Sequence, residues 1–128
     1  IQKENLTDRI DTVVGDYTQD ALGTGYDLVF LSAIIHSNAN DQNAALIQKC
    51  ADALNPGGQV VVSDFIMNED RTQPPMGALF ALNMLVGTPE GSSYTSEEYS
   101  MWLSRAGFEN IRHVSLPGPT GLMLGRHP

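Results

Sequence analysis

Residues 27–65 read DLVFLSAIIHSNANDQNAALIQKCADALNPGGQVVVSDF, and the order of apolar residues in this stretch decides the fold. Asp27 to Ile35 is almost wholly apolar apart from Ser32, the pattern of a strand buried on both faces. From Asp41 to Leu54 the apolar positions Ala44, Ile47, Ala51 and Leu54 recur at helical spacing, and Asn55-Pro56-Gly57-Gly58 reads as the stop. Gln59 to Phe65 is a further buried strand. A helix of about four turns between two such strands is a βαβ unit, with a right-handed crossover and parallel strands.

Working outward, Ile10 to Val14 is a β-branched run closed by Gly15-Asp16 and reads as another buried strand. Gly23-Thr24-Gly25 is a loop before a strand; no helix follows it, so it is no dinucleotide fingerprint. On the other side, Pro74-Pro75 suits a helix start, where a missing amide proton costs little. Met76, Leu79, Phe80, Asn83 and Met84 then form a stripe read as core packing, and the helix should end near Gly87. Thr95-Ser96-Glu97-Glu98 has the form of a capping box, with Tyr99, Trp102, Leu103 and Ala106 on one face and Gly107 at the end. Ile111 to Leu116 and Gly121 to Arg126 read as an antiparallel pair joined through Pro117-Gly118-Pro119. Strands and helices alternate without internal repeat, so the fold class is α/β, one domain or part of one.

Bulk properties narrow the function. The 128 residues, 41% hydrophobic and 17% charged, suit one globular unit and are too few for two ordinary domains. Fifteen acidic against seven basic residues give a net charge of −8, which repels a polyphosphate backbone, so a small molecule is expected rather than nucleic acid. Cys50 is the only cysteine, which excludes an internal disulfide and the usual cysteine-based metal sites and suits a reducing cytoplasm. No stretch approaches the roughly 18 consecutive apolar residues of a membrane span, and the polar opening Ile1-Gln2-Lys3-Glu4-Asn5 is no signal peptide.

In open α/β sheets ligands bind beyond the carboxyl ends of the parallel strands. Three polar residues stand at those ends: Asp16 after the first strand, His36 after the second and Asp64 at the end of the third. Histidine, with an unperturbed pKa of about 6.5, is the natural general base at neutral pH, and a neighbouring carboxylate fixes its tautomer. His36 with Asp64 would form such a pair, against the plainer alternative of a histidine that merely ends a strand. His113, in the late strand, and His127, in the tail, are not placed to help.

The order Val14-Gly15-Asp16-Tyr17, Tyr26-Asp27-Leu28-Val29-Phe30-Leu31-Ser32 leading to His36, Leu54-Asn55-Pro56-Gly57-Gly58 and Val61-Val62-Ser63-Asp64 resembles a known family. It is the class I S-adenosylmethionine-dependent O-methyltransferase family that includes plant caffeate and flavonoid O-methyltransferases and hydroxyindole O-methyltransferase. The resemblance runs on through Tyr94-Thr95, Ala106-Gly107-Phe108 and Gly121-Leu122-Met123-Leu124-Gly125-Arg126.

The resemblance implies a Rossmann-like sheet, mostly parallel with a C-terminal antiparallel pair. It implies S-adenosyl-L-methionine as cofactor, with Asp16 on the adenine amino group, Tyr17 along the adenine ring and Ser32 at a cofactor position where plant members carry lysine. His36 would be the base and Asp64 would stand where relatives carry the glutamate that orients it. Met84 matches a methionine that packs on an aromatic acceptor, with Phe80 and Asn83 as further substrate-pocket candidates. The implied reaction is in-line transfer of the sulfonium methyl group to a hydroxyl of a small aromatic acceptor, and it needs no metal. Ser37-Asn38 replaces the plant Asp-Trp, and Ser93 stands where plant members have a second carboxylate.

Neither the family's Gly-x-Gly-x-Gly loop nor its ribose-binding acidic strand lies in residues 1–128. They are therefore expected to be the C-terminal part of one methyltransferase domain, with a gap in the sheet between the Ile10–Val14 and Asp27–Ser32 strands unless a second chain covers that edge. The complete protein is expected to form a homodimer through an amino-terminal helical domain. Competing readings are a non-catalytic binding module that keeps the fold and a nicotinamide oxidoreductase, the latter lacking a phosphate-binding glycine loop after Ile10.

Overall fold

A computed structural model describes residues 1–128, the side chain of Gln2 excepted. At its centre, β1 (Tyr26–Ser32) and β2 (Leu54–Asp64) pair in parallel from Leu28 with Gln59 to Ser32 with Ser63, and α1 (Asn40–Ala53) crosses between them. The βαβ unit expected from residues 27–65 is therefore present. α1 opens with the Gln42 side chain accepting the Ala39 amide at 2.9 Å.

Three local expectations are corrected. β1 ends at Ser32 rather than Ile35: Ala33 keeps one more ladder bond, to the Ser63 carbonyl, and its φ of 55° then turns the chain into a 3-10 turn over Ile35–Ser37. Nor is β1 buried on both faces, since Leu28 and Phe30 are 56% and 57% exposed. The expected helix stop lies inside β2 instead. α1 has already ended at Ala53, and Gly57, at φ 80°, belongs to an irregular stretch where the pairing with β1 slips between Tyr26 and Leu28.

A larger correction concerns Ile10 to Val14, which forms no strand; Val13 and Val14 stand in solvent. A strand exists only through its ladder, and among the described residues no strand pairs with this run.

Beyond β2 the chain forms β3 (Ile66–Met67), α2 (Pro75–Gly87), β4 (Tyr94–Thr95) and α3 (Ser96–Arg105), then β5 (Glu109–Ser115) and β6 (Gly121–Arg126). β6 pairs antiparallel with both β2 and β5, giving a mixed sheet in the order β1-β2-β6-β5, while β3 and β4 form a separate parallel pair. The capping box is real: Thr95 Oγ1 accepts the Glu98 amide at 3.2 Å, and Glu98 Oε2 accepts the Thr95 amide at 2.7 Å. α3 then turns Tyr99, Trp102 and Leu103 inward, where Trp102 meets Tyr94 and Tyr99 edge-on.

α1 and α3 cover one face of the sheet, and Ile35, Ile47, Val60, Val62 and Met123 complete the core. The other face carries Leu28, Phe30, Val61 and Leu124, with no helix packed over it among the described residues. α2 also departs from expectation, because Met76, Leu79 and Asn83 are exposed while Gly77 is buried and Phe80 and Met84 are half-buried. Its sequence is apolar on nearly every side, so periodicity could not select a face. The face is set by close approach at Gly77, whose missing side chain lets α2 lie against Phe65 and Met67. No helix among the described residues is long and apolar enough to cross a membrane.

Candidate active site

Parallel pairing puts the carboxyl ends of β1 and β2 side by side, with Ser32 opposite Ser63, so His36 and Asp64 become neighbours although 28 positions apart. Asp64 follows Val60 and Val62 on the buried face of β2, and its side chain is only 2% exposed. It accepts four contacts. His36 Nδ1 lies 2.9 Å from Oδ1 and 3.0 Å from Oδ2, the His36 amide donates to Oδ2 at 3.3 Å, and the Phe65 amide donates to Oδ1 at 2.8 Å. These contacts satisfy a carboxylate that would be costly to bury alone. A carboxylate only accepts, so in the neutral ring this geometry favours the proton on Nδ1 and leaves the lone pair on Nε2.

No hydrogen-bond partner for Nε2 occurs among the described residues. The ring meets Phe80 edge-on at 4.8 Å, and Phe80 in turn packs on Phe65 at 4.8 Å. Met84 lies one turn further along α2 on the same side. The arrangement is an imidazole fixed through Nδ1 beside an apolar, aromatic wall. Asn83 is exposed and shares no hydrogen bond with His36 or Asp64.

The main chain of His36 is held as well. Ser92 donates its amide to the His36 carbonyl at 2.9 Å, and a Cβ built on Gly91 would lie 2.4 Å from that oxygen. Thr88 Oγ1 donates to the Met84 carbonyl at 2.8 Å and accepts the Gly91 amide at 2.8 Å, so the end of α2 is linked to the same loop. Ser93 is buried and structural, its hydroxyl donating to the Gly77 carbonyl at 2.8 Å.

Asp16 and Tyr17 sit in a single turn rather than at a strand end. Asp16 Oδ1 accepts the Thr18 hydroxyl at 2.6 Å and the Thr18 amide at 2.9 Å, and these bonds, the hydroxyl foremost, hold the Asp16 carboxyl below the usual carboxylate range. Gly15, Asp16, Tyr17, Leu22 and Tyr26 line a cavity of about 360 Å³. The Tyr17 hydroxyl donates to Asn38 Oδ1 at 2.9 Å, and Lys49 Nζ donates to the Tyr17 and Asp20 carbonyls, each at 2.9 Å. Ser32 is exposed at the end of β1. Reading the sequence met Asn38 only as a departure from the plant pattern and missed Lys49, Gly91 and Ser92. Their contacts are tertiary and leave no local pattern.

Comparison with known proteins identifies the family of the chain. A family model described as an O-methyltransferase domain matches residues 2–109. The chain is 40% identical over 127 residues to 3-hydroxy-5-methyl-1-naphthoate 3-O-methyltransferase of Streptomyces sahachiroi, covering 98% of the chain and 36% of that protein. Human N-acetylserotonin methyltransferase, solved in complex with SAM, superposes with a TM-score of 0.86 at 32% identity over 98% of the chain and 36% of its own. PigF, a protein of a Serratia species solved with SAH, does so at 0.88 and 33% identity over 99% of the chain and 38% of its own. The chain thus spans little more than a third of the relatives it matches.

Proposed function

The chain belongs to the O-methyltransferase domain family, and on that premise we propose that it is the C-terminal part of a single S-adenosylmethionine-dependent domain that methylates a hydroxyl of a small aromatic molecule, with His36 as general base. The observation that carries this reading is the His36–Asp64 pair, which leaves Nε2 open beside Phe80.

The residues present fit the adenine end of the cofactor. Asp16 Oδ2 has no partner among the described residues, its carboxylate is held anionic, and the cavity beside it has apolar walls. An exocyclic amino group would donate to Asp16, the Tyr17 ring would line the base, and Ser32 would add a hydroxyl at the end of β1. When bound, S-adenosylmethionine supplies an activated methyl group.

His36 Nε2 takes the proton of the acceptor hydroxyl, and Asp64 holds the imidazolium that results. A phenol, with a pKa of about 10, asks only modest help of such a base. Phe80 and Met84 pack on the aromatic acceptor and keep water from it, and most of the rate comes from alignment. With this reading go a reducing cytoplasm, in which buried Cys50 stays a thiol, and a homodimer of the complete protein.

The test is turnover of a panel of phenols by the protein made from its natural amino terminus, compared with His36→Ala. The variant should lose at least about 100-fold in turnover while binding S-adenosylhomocysteine as tightly as the parent. A parent that binds this product analogue but methylates nothing would be a non-catalytic binding module, and undiminished turnover in His36→Ala would remove the assigned base.

A further inference from the structure

Behind His36 lies a chain of buried amides that the reaction as described does not use. Asn38, two residues after His36 and 5% exposed, accepts the Tyr17 hydroxyl at Oδ1 and donates from Nδ2 to Asn43 Oδ1 at 3.1 Å. Asn43, fully buried, donates from its own Nδ2 to the Ile35 carbonyl at 3.0 Å, and the Asn38 amide closes on that same carbonyl at 3.2 Å. The Tyr94 hydroxyl donates to the Asn38 carbonyl. The 3-10 turn that presents His36 is therefore closed by Asn38 and Asn43. Its one hydrogen bond to the Asp16–Asp20 turn, among the described residues, is the Tyr17 hydroxyl.

The main chain of the same turn is tied to α1 by Lys49, through the Tyr17 and Asp20 carbonyls. Tyr17 is thus anchored at its carbonyl and linked to Asn38 at its hydroxyl. Asn38 and Asn43 are buried too deeply to be left unpaired cheaply, so the Tyr17 hydroxyl bears on how Asn38 is held.

We propose that Asn38 is a positioning residue that couples occupation of the Asp16–Tyr17 turn by the adenine end of the cofactor to the seating of His36. The inference rests on the methyl-transfer reading above. Coupling of this kind is reciprocal in binding, so a well-seated His36 turn also favours the cofactor.

Tyr17→Phe tests it in the protein made from its natural amino terminus, because it keeps the ring and removes only the hydroxyl. At saturating cofactor its kcat should fall about tenfold with the acceptor KM unchanged. Asn38→Ala should show the same fall, and the double variant no more than Asn38→Ala alone. A Tyr17→Phe that raises only the KM for S-adenosylmethionine would reduce Tyr17 to an adenine wall and overturn the coupling, as would independent, multiplying effects of the two substitutions. If the unaltered protein does not bind S-adenosylhomocysteine, the methyl-transfer reading fails first, and the coupling falls with it.

Discussion

His36 is fixed through one ring nitrogen and open at the other, and Asp64 does the fixing twice, through the ring and through the main-chain amide. Asp64→Asn keeps the volume and can still accept from the Phe65 amide, but its NH2 group can face Nδ1 and favour the tautomer that places the proton on Nε2. Turnover should fall by about 100-fold or more in steady-state assays, with S-adenosylhomocysteine affinity unchanged. Asp16 gives a prediction in pH. Thr18 stabilises its anion, so the folded-state pKa lies below the ordinary value. Cofactor affinity that depends on this anion should therefore persist as pH falls into the ordinary carboxylate range and be lost only below it. Thr18→Val removes the hydroxyl bond, raises the Asp16 pKa and should move that loss to higher pH, as read by calorimetric titration across a pH series. Both predictions concern residues visible in the sequence. His36, Asp64 and Asp16 each follow or end an apolar run, whereas the Thr18 hydroxyl that tunes Asp16 and the Ser92 amide that holds His36 do not announce themselves.

Among the elements, legibility followed how much each depends on its own residues. The box at Thr95 and Glu98 and the inward face of α3 are local, and both could be read directly. β1, α1 and β2 were readable as a unit because an apolar run, a helical period and a second apolar run leave few arrangements. α2 was readable as a helix but not as a face, since Leu79, Leu82 and Leu85 are as apolar as the residues it buries. Ile10 to Val14 has strand composition without a pairing partner among the described residues, and composition alone does not make a ladder. The link between α2 and His36 was invisible for a different reason: it runs through Thr88 and the bare backbone of Gly91. Gly91→Ala would set a methyl group 2.4 Å from the His36 carbonyl oxygen and from Thr88 Oγ1, so the loop and the His36 turn must shift. Turnover should drop roughly 10- to 100-fold while cofactor affinity holds. Parallel loss of cofactor binding would instead mean that the loop supports the whole fold.

On the scale of the whole molecule, a four-stranded mixed sheet is packed, among the described residues, on one face only and leaves Leu28 and Phe30 of β1 in the open. An apolar sheet face and an unpaired strand edge ask for cover. The chain spans little more than a third of its relatives, and the proposal that it completes its sheet and its cofactor site with preceding residues accounts for both features. Calorimetric titration of S-adenosylhomocysteine into the protein made from its natural amino terminus, with the 128-residue polypeptide alongside, tests this most directly. Binding by the longer protein and none by the shorter is the predicted result. Absence of binding by both would contradict the cofactor assignment on which the function rests, and equal binding by both would contradict the claim that the site is shared with residues outside this chain.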